Sequence, residues 1–134
     1  MKKINFKKLA EEWFEKARED IGVARLIFEE KSYSGSVCFH CHQAAEKYLK
    51  GFLVSRGKDI EEKFKIHNLI KLFDYCQKAE KSLNKELKNY CILLNKYYIL
   101  TRYPMEQQEF SWKEVKKALA AAAYIQDKIL QAVK

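Results

Sequence analysis

Four glycines and a single proline in 134 residues constrain this chain more than any other feature. Tight β-turns draw on Gly and Pro for positive or fixed φ, and these five residues are about 4% of the chain against an average near 12%. The material for a many-turned sheet is missing, so an all-α fold is expected. Hydrophobic residues make up 48% of the chain and aromatics 13%, which is enough for one core. At this length a single domain over residues 1–134 is expected.

The apolar spacing divides the chain into helices. Phe6, Leu9, Trp13, Ala17, Ile21, Ala24 and Phe28 recur at three- and four-residue steps, with Glu11, Glu12, Glu15, Lys16, Arg18 and Glu19 between them. This predicts a helix over residues 6–31. Lys31 to Gly35 interrupts the pattern, and Ser34 is expected to cap a second helix reaching Arg56, with Val37, Cys41, Ala44, Ala45, Tyr48 and Phe52 on its buried stripe. Gly57 ends it, and residues 58–65, with three acids and three bases, carry no period and read as a loop. A third helix holds Leu69, Leu72, Phe73 and Cys76; a fourth spans residues 82–102, where Pro104 forbids continuation. Ser111-Trp112-Lys113-Glu114 spells a capping box that opens a fifth helix through Ile129. The expected architecture is an up-and-down bundle of four to five antiparallel helices. The fourth helix carries Ile92, Leu93, Ile99 and Leu100 opposite its main stripe. Two apolar faces must be buried twice, by the first helix or by a second subunit, and a homodimer is expected.

No apolar run of signal-peptide length follows Met1, and none approaches the roughly 18 residues of a membrane span. Cys38, Cys41, Cys76 and Cys91 each sit inside a helical apolar pattern, as reduced thiols of a cytoplasmic protein would. No membrane association is expected.

Charge is distributed unevenly. The net charge is +8, yet residues 1–31 and 104–134 each contribute only +1. Residues 32–57 hold three bases and one acid, and residues 82–103 four and one, so five of the eight charges fall on the second and fourth helices. On a helical wheel His40, Gln43, Lys47 and Lys50 lie within about 80° of one another, a polar ridge with little negative charge. Tyr98, Cys91, Arg102 and Asn95 fall within about 60° on the fourth helix. Arg102 offers the guanidinium fork best suited to phosphate. Solvated basic faces on an ordinary bundle are the plainer reading.

Cys38-Phe39-His40-Cys41-His42 has a zinc-like spacing, but in a helix at most three of its ligands converge. Buried thiols acting as small hydrophobes are the simpler reading, with His42 satisfying a buried neighbour. No metal and no cofactor are expected, and no phosphate-loop, dinucleotide or zinc-protease motif is present. His67 stands at the start of the third helix, as a capping or packing residue or, less simply, as a catalytic base. Arg102-Tyr103-Pro104 reads either as a helix C-terminus or as an anion contact.

Gln43-Ala44-Ala45-Glu46-Lys47-Tyr48-Leu49-Lys50-Gly51, then His67-x-Leu69-x-x-Leu72, then Tyr98-x-x-x-Arg102-Tyr103-Pro104 together resemble the HEPN domain family. The likeness runs from about Ala10 to Gln131, and Ala17-x-x-Asp20-Ile21-x-x-Ala24 and Tyr33 share it. The resemblance implies a dimerising helical bundle. It also implies one of three roles: partner of a minimal nucleotidyltransferase in a toxin–antitoxin-like pair, nucleotide binder, or metal-independent ribonuclease. In the ribonuclease branch an arginine is followed four to six residues later by histidine; after Arg102 this chain runs Tyr103 to Glu109 without one. Metal-free RNA cleavage needs a proton-transfer group beside the cation, so binding without catalysis is the expected role, with a ribonuclease using Arg102 and a non-standard histidine, or a pure protein-interaction scaffold, as the alternatives. The ligand, a nucleotide or RNA phosphate, is expected at Arg102, Tyr103, Tyr98, Asn95, Gln43, Lys47, Lys50 and His40. If there is catalysis, Arg102 and His67 are its candidates.

Overall fold

The computed structural model describes residues 3–58, 67–101 and 109–134. These form α1 (Phe6–Glu29), α2 (Ser34–Ser55), α3 (Leu69–Ala79), α4 (Lys85–Asn95), α5 (Tyr97–Leu100) and α6 (Trp112–Val133), with no strand among the described residues. None of these helices is long and apolar enough to cross a membrane. The all-α bundle expected from composition and spacing is the fold observed.

The helix ends show local sequence at work. Asn5 caps α1 by accepting from the Lys8 backbone N–H, Asn68 caps α3 through Ile70 and Lys71, Asn84 caps α4 through Leu87, and Ser111 caps α6 through Glu114. Ser34 does not cap α2. Its position is taken by Tyr33, in the left-handed region at φ 51° with no capping side-chain bond. Ser34 is buried instead, and its hydroxyl accepts from the Phe110 N–H at 2.9 Å, tying the approach to α6 onto the start of α2. The expected fourth helix is also divided: α4 ends at Asn95, Lys96 forms a turn, and α5 adds one further turn closed by the Thr101 hydroxyl on the Tyr97 carbonyl.

α2 is the central helix, packing most extensively on α1 and then on α6 and α3, while α4 packs against α6 and α3. Most positions from Val37 to Val54 are buried. Phe14 of α1 stacks on Tyr48 at 6.0 Å, and the Gln126 amide of α6 donates to the Tyr48 hydroxyl at 2.5 Å. Just past the C-terminus of α2 Arg56 donates to the Ala79 carbonyl, the Glu80 carboxylate and the Ala132 carbonyl, joining the ends of α2, α3 and α6. All four cysteines are buried free thiols within this core, as their apolar spacing suggested. Burial pushes the Cys38 and Cys91 thiols up to about 12.

α1 does not cover the second apolar face of the α4–α5 segment. Ile92 and Ile99 remain 48% and 54% exposed.

Candidate functional site

His42, Glu46 and Lys50 recur at four-residue steps along α2 and therefore share one face, turned toward the start of α3 and the α4–α5 junction. All three are buried polar residues on a helix whose buried positions are otherwise mostly apolar, and such residues persist only where they are paired. Glu46 accepts from the Lys50 ammonium at 2.9 Å on one oxygen and from His67 Nδ1 at 2.9 Å on the other. The carboxylate joins a helix-internal cation to an imidazole 21 residues further along the chain.

The start of α3 is held from three sides. His42 Nε2 lies 3.1 Å from the His67 carbonyl, the Leu69 N–H donates to Asn95 Oδ1 at 2.8 Å, and Asn68 caps the helix. Burial holds the His42 pKa below the ordinary histidine value, so the neutral ring, protonated on Nε2, donates to that carbonyl. The Gln43 side chain lies 3.3 Å from His42 Nδ1. The His67 ring then stacks on Tyr98, with centroids 4.2 Å apart and planes 12° from parallel, and His42 flanks the same tyrosine at 5.6 Å. Since Glu46 accepts the Nδ1 hydrogen bond, the Nε2 edge of His67 lies outside that contact, and the side chain is 46% exposed.

Residues from all three sequence motifs thus meet. Glu46, Gln43 and Lys50 come from the first, His67 from the second and Tyr98 from the third, with Asn95 beside them. Glu46 was not among the expected site residues, although its position four residues after His42 and four before Lys50 is the signal that would have found it.

The ridge read from the wheel is not an open cationic surface. Lys50 is buried on Glu46. His40 and Lys47 both turn to Asp20 of α1, His40 Nδ1 donating to one carboxylate oxygen at 3.0 Å and the Lys47 ammonium to the other at 2.5 Å. Burial raises the Asp20 pKa, but the hydrogen bonds and charges of His40 and Lys47 outweigh it and hold the carboxyl below its usual value. The four residues therefore split into an Asp20 pair and a Glu46 cluster. Cys91, which shared a wheel sector with Tyr98 and Asn95, is a core residue. Arg102 and Tyr103, with Pro104, lie outside the described residues. Among the described residues no group of three or more His, Cys, Asp or Glu is placed to hold a metal ion, so Cys38, Cys41 and His42 do not form one.

A family model for the HEPN domain matches residues 10–132. The fold is similar to the crystal structure of TT1696 from Thermus thermophilus, with a TM-score of 0.79 and 26% identity over 91% of this chain and 96% of that one. It is also similar to ST0689, an archaeal HEPN homologue, with a TM-score of 0.74 over 93% of this chain and 98% of that one; at 24% identity this is a likeness of fold. No curated protein matches the chain at a significant level.

Proposed function

The chain belongs to the HEPN domain family, and from that premise we propose that it binds the phosphate of a nucleotide or an RNA at the Glu46–His67–Tyr98 cluster. In this reading it acts as a homodimer that partners a minimal nucleotidyltransferase in a toxin–antitoxin-like pair. The observation that supports it is the convergence of the three motif segments on His67, which the buried Glu46 carboxylate holds at Nδ1 and Tyr98 stacks against. Arg102 follows Tyr98 by four residues and supplies the phosphate fork, while the stacked His67 and Tyr98 rings give a nucleobase a flat apolar partner. The exposed Ile92 and Ile99 give the second subunit its seat. Isothermal titration with ATP and a short single-stranded RNA tests the binding: wild type should bind one of them, and Arg102→Ala should lose at least tenfold in affinity. Failure of the wild type to bind either removes the proposal. Sedimentation tests the dimer, which Ile92→Asp with Ile99→Asp should split.

A second reading has its own observation. Glu46 orients His67 through Nδ1 and leaves Nε2 outside that hydrogen bond on a half-exposed side chain, the arrangement a general base requires. His67 would then stand in for the histidine missing after Arg102: it would take the proton of a ribose 2′-hydroxyl attacking the adjacent phosphate, and return it to the departing 5′-oxygen. RNA decay in EDTA, abolished by His67→Ala and by Arg102→Ala, favours this reading. An intact RNA ladder after long incubation rejects it.

A further inference from the structure

A second concavity lies on the other side of the α4–α5 junction. Tyr97 and Tyr98 are consecutive, yet Tyr98 meets His67 while Tyr97 runs to α6, where its hydroxyl donates to Glu114 at 2.5 Å. Around that contact Lys96, Ser111, Lys113, Glu114 and Lys117 enclose a cavity of about 450 Å³. Lys96 comes from the turn after α4, and Lys113 and Lys117 are one turn apart on α6, so three lysines from two elements line one space.

The charge there is not balanced internally. Among the described residues the one carboxylate lining the cavity, Glu114, is engaged by the Tyr97 hydroxyl and by Lys96 at 3.5 Å. Among the same residues no carboxylate lies within 4.0 Å of the Lys113 or Lys117 ammonium. Three lysines around a hollow, opposed by one engaged carboxylate, suit a compact, multiply charged oxyanion, for which Lys serves as a point charge rather than a fork.

We propose that this cavity is a phosphate-binding site, separate from the Glu46–His67–Tyr98 cluster. Its occupant is a phosphate group, carried either by a free phosphate compound or by a nucleic-acid backbone. The claim does not depend on the function proposed for the cluster, because none of its residues is shared.

The test titrates the full chain with inorganic pyrophosphate and with a ten-nucleotide single-stranded RNA, at several salt concentrations, following lysine side-chain NMR signals and heat. The variants are Lys113→Gln with Lys117→Gln, both exposed positions, and a charge-matched control, Lys7→Gln with Lys8→Gln on α1. Pyrophosphate or RNA should shift the Lys113 and Lys117 signals. The cavity variant should bind at least fivefold more weakly, and for RNA its salt slope should fall by about 1.4, two phosphate contacts of a single strand. RNA bound more tightly than pyrophosphate at equal salt identifies a backbone occupant; equal affinity identifies a free phosphate compound. Lysine signals unmoved by either probe, or a control variant weakened as much as the cavity variant, overturns the proposal.

Discussion

The ring of His67 lies 4.2 Å from that of Tyr98 and 12° from parallel, although His67 precedes α3, Tyr98 lies in α5, and the two belong to different sequence motifs. The stack works together with the Glu46 hydrogen bond. One contact fixes the plane of the imidazole and the other fixes its rotation within that plane, so His67 is held in both respects.

Tyr98→Ala should therefore affect both stability and ligand binding. Loss of an aromatic pair costs about 0.5–1.5 kcal/mol beyond buried area. Urea unfolding gives the first quantity. Titration with ATP and single-stranded RNA gives the second, where Tyr98→Ala should weaken binding several-fold.

Glu46→Gln should be among the most damaging single changes in the chain. It leaves the Lys50 ammonium buried without a counter-charge and releases His67 Nδ1, and breaking one side of a buried pair costs about 3–5 kcal/mol. Lys50→Met alone removes the cation but leaves the carboxylate buried. The double variant Glu46→Gln with Lys50→Met should recover much of the loss in a thermal melt, because no unpaired charge remains. Equal damage in single and double variants would show that the pair contributes only through packing.

Much of this arrangement is legible in the sequence, and the parts that are not have a physical reason. The helices follow from 3.6-residue spacing, because one-sided burial writes that period directly into the chain. Ser111 is recognisable as a cap from its neighbours alone, whereas Ser34 mimics one, because Phe110, 76 residues away, takes its hydroxyl. His67 and Tyr98 are reached through motif order and Asn95 through the wheel, and the three do lie together at the start of α3. The ridge of His40, Lys47 and Lys50 reads as open because a wheel shows only a helix's own charges. It cannot show that α1 brings Asp20 against two of these residues, or that α2 is buried on nearly every side.

Gly51 illustrates a constraint that periodicity cannot detect. A Cβ at this position of α2 would stand 2.5 Å from a ring carbon of Phe14 and 3.0 Å from the Trp13 Cβ. Phe14 is almost wholly buried and stacked on Tyr48, so it has little room to retreat. Gly51→Ala, which ordinarily favours a helix, should instead destabilise the protein by roughly 1–3 kcal/mol through overpacking. Chemical denaturation measures this, and Phe14→Leu in the same chain should relieve part of it.

Acid should destabilise the protein over two separable windows, one set by His42 and one by carboxylates held ionised, of which Asp20 is the more buried and Glu80 the more exposed. His42 is held neutral by burial, so its folded pKa lies below the unfolded value of about 6.5. Its contribution is complete above that value and declines as pH falls toward the folded pKa, since the unfolded chain takes up the proton first. Asp20 is held ionised by His40 and Lys47 despite its burial, so its contribution is complete above the unfolded value near 3.8 and is lost as pH falls through the lower folded pKa. Melting temperature followed from about pH 8 to about pH 3 should thus show one decline beginning near 6.5 and a second beginning near 4. Asp20→Asn should lower stability at neutral pH and flatten the second decline while leaving the first. His42→Gln should flatten the first and spare the second. A single decline, unchanged in either variant, would assign the acid sensitivity to other groups.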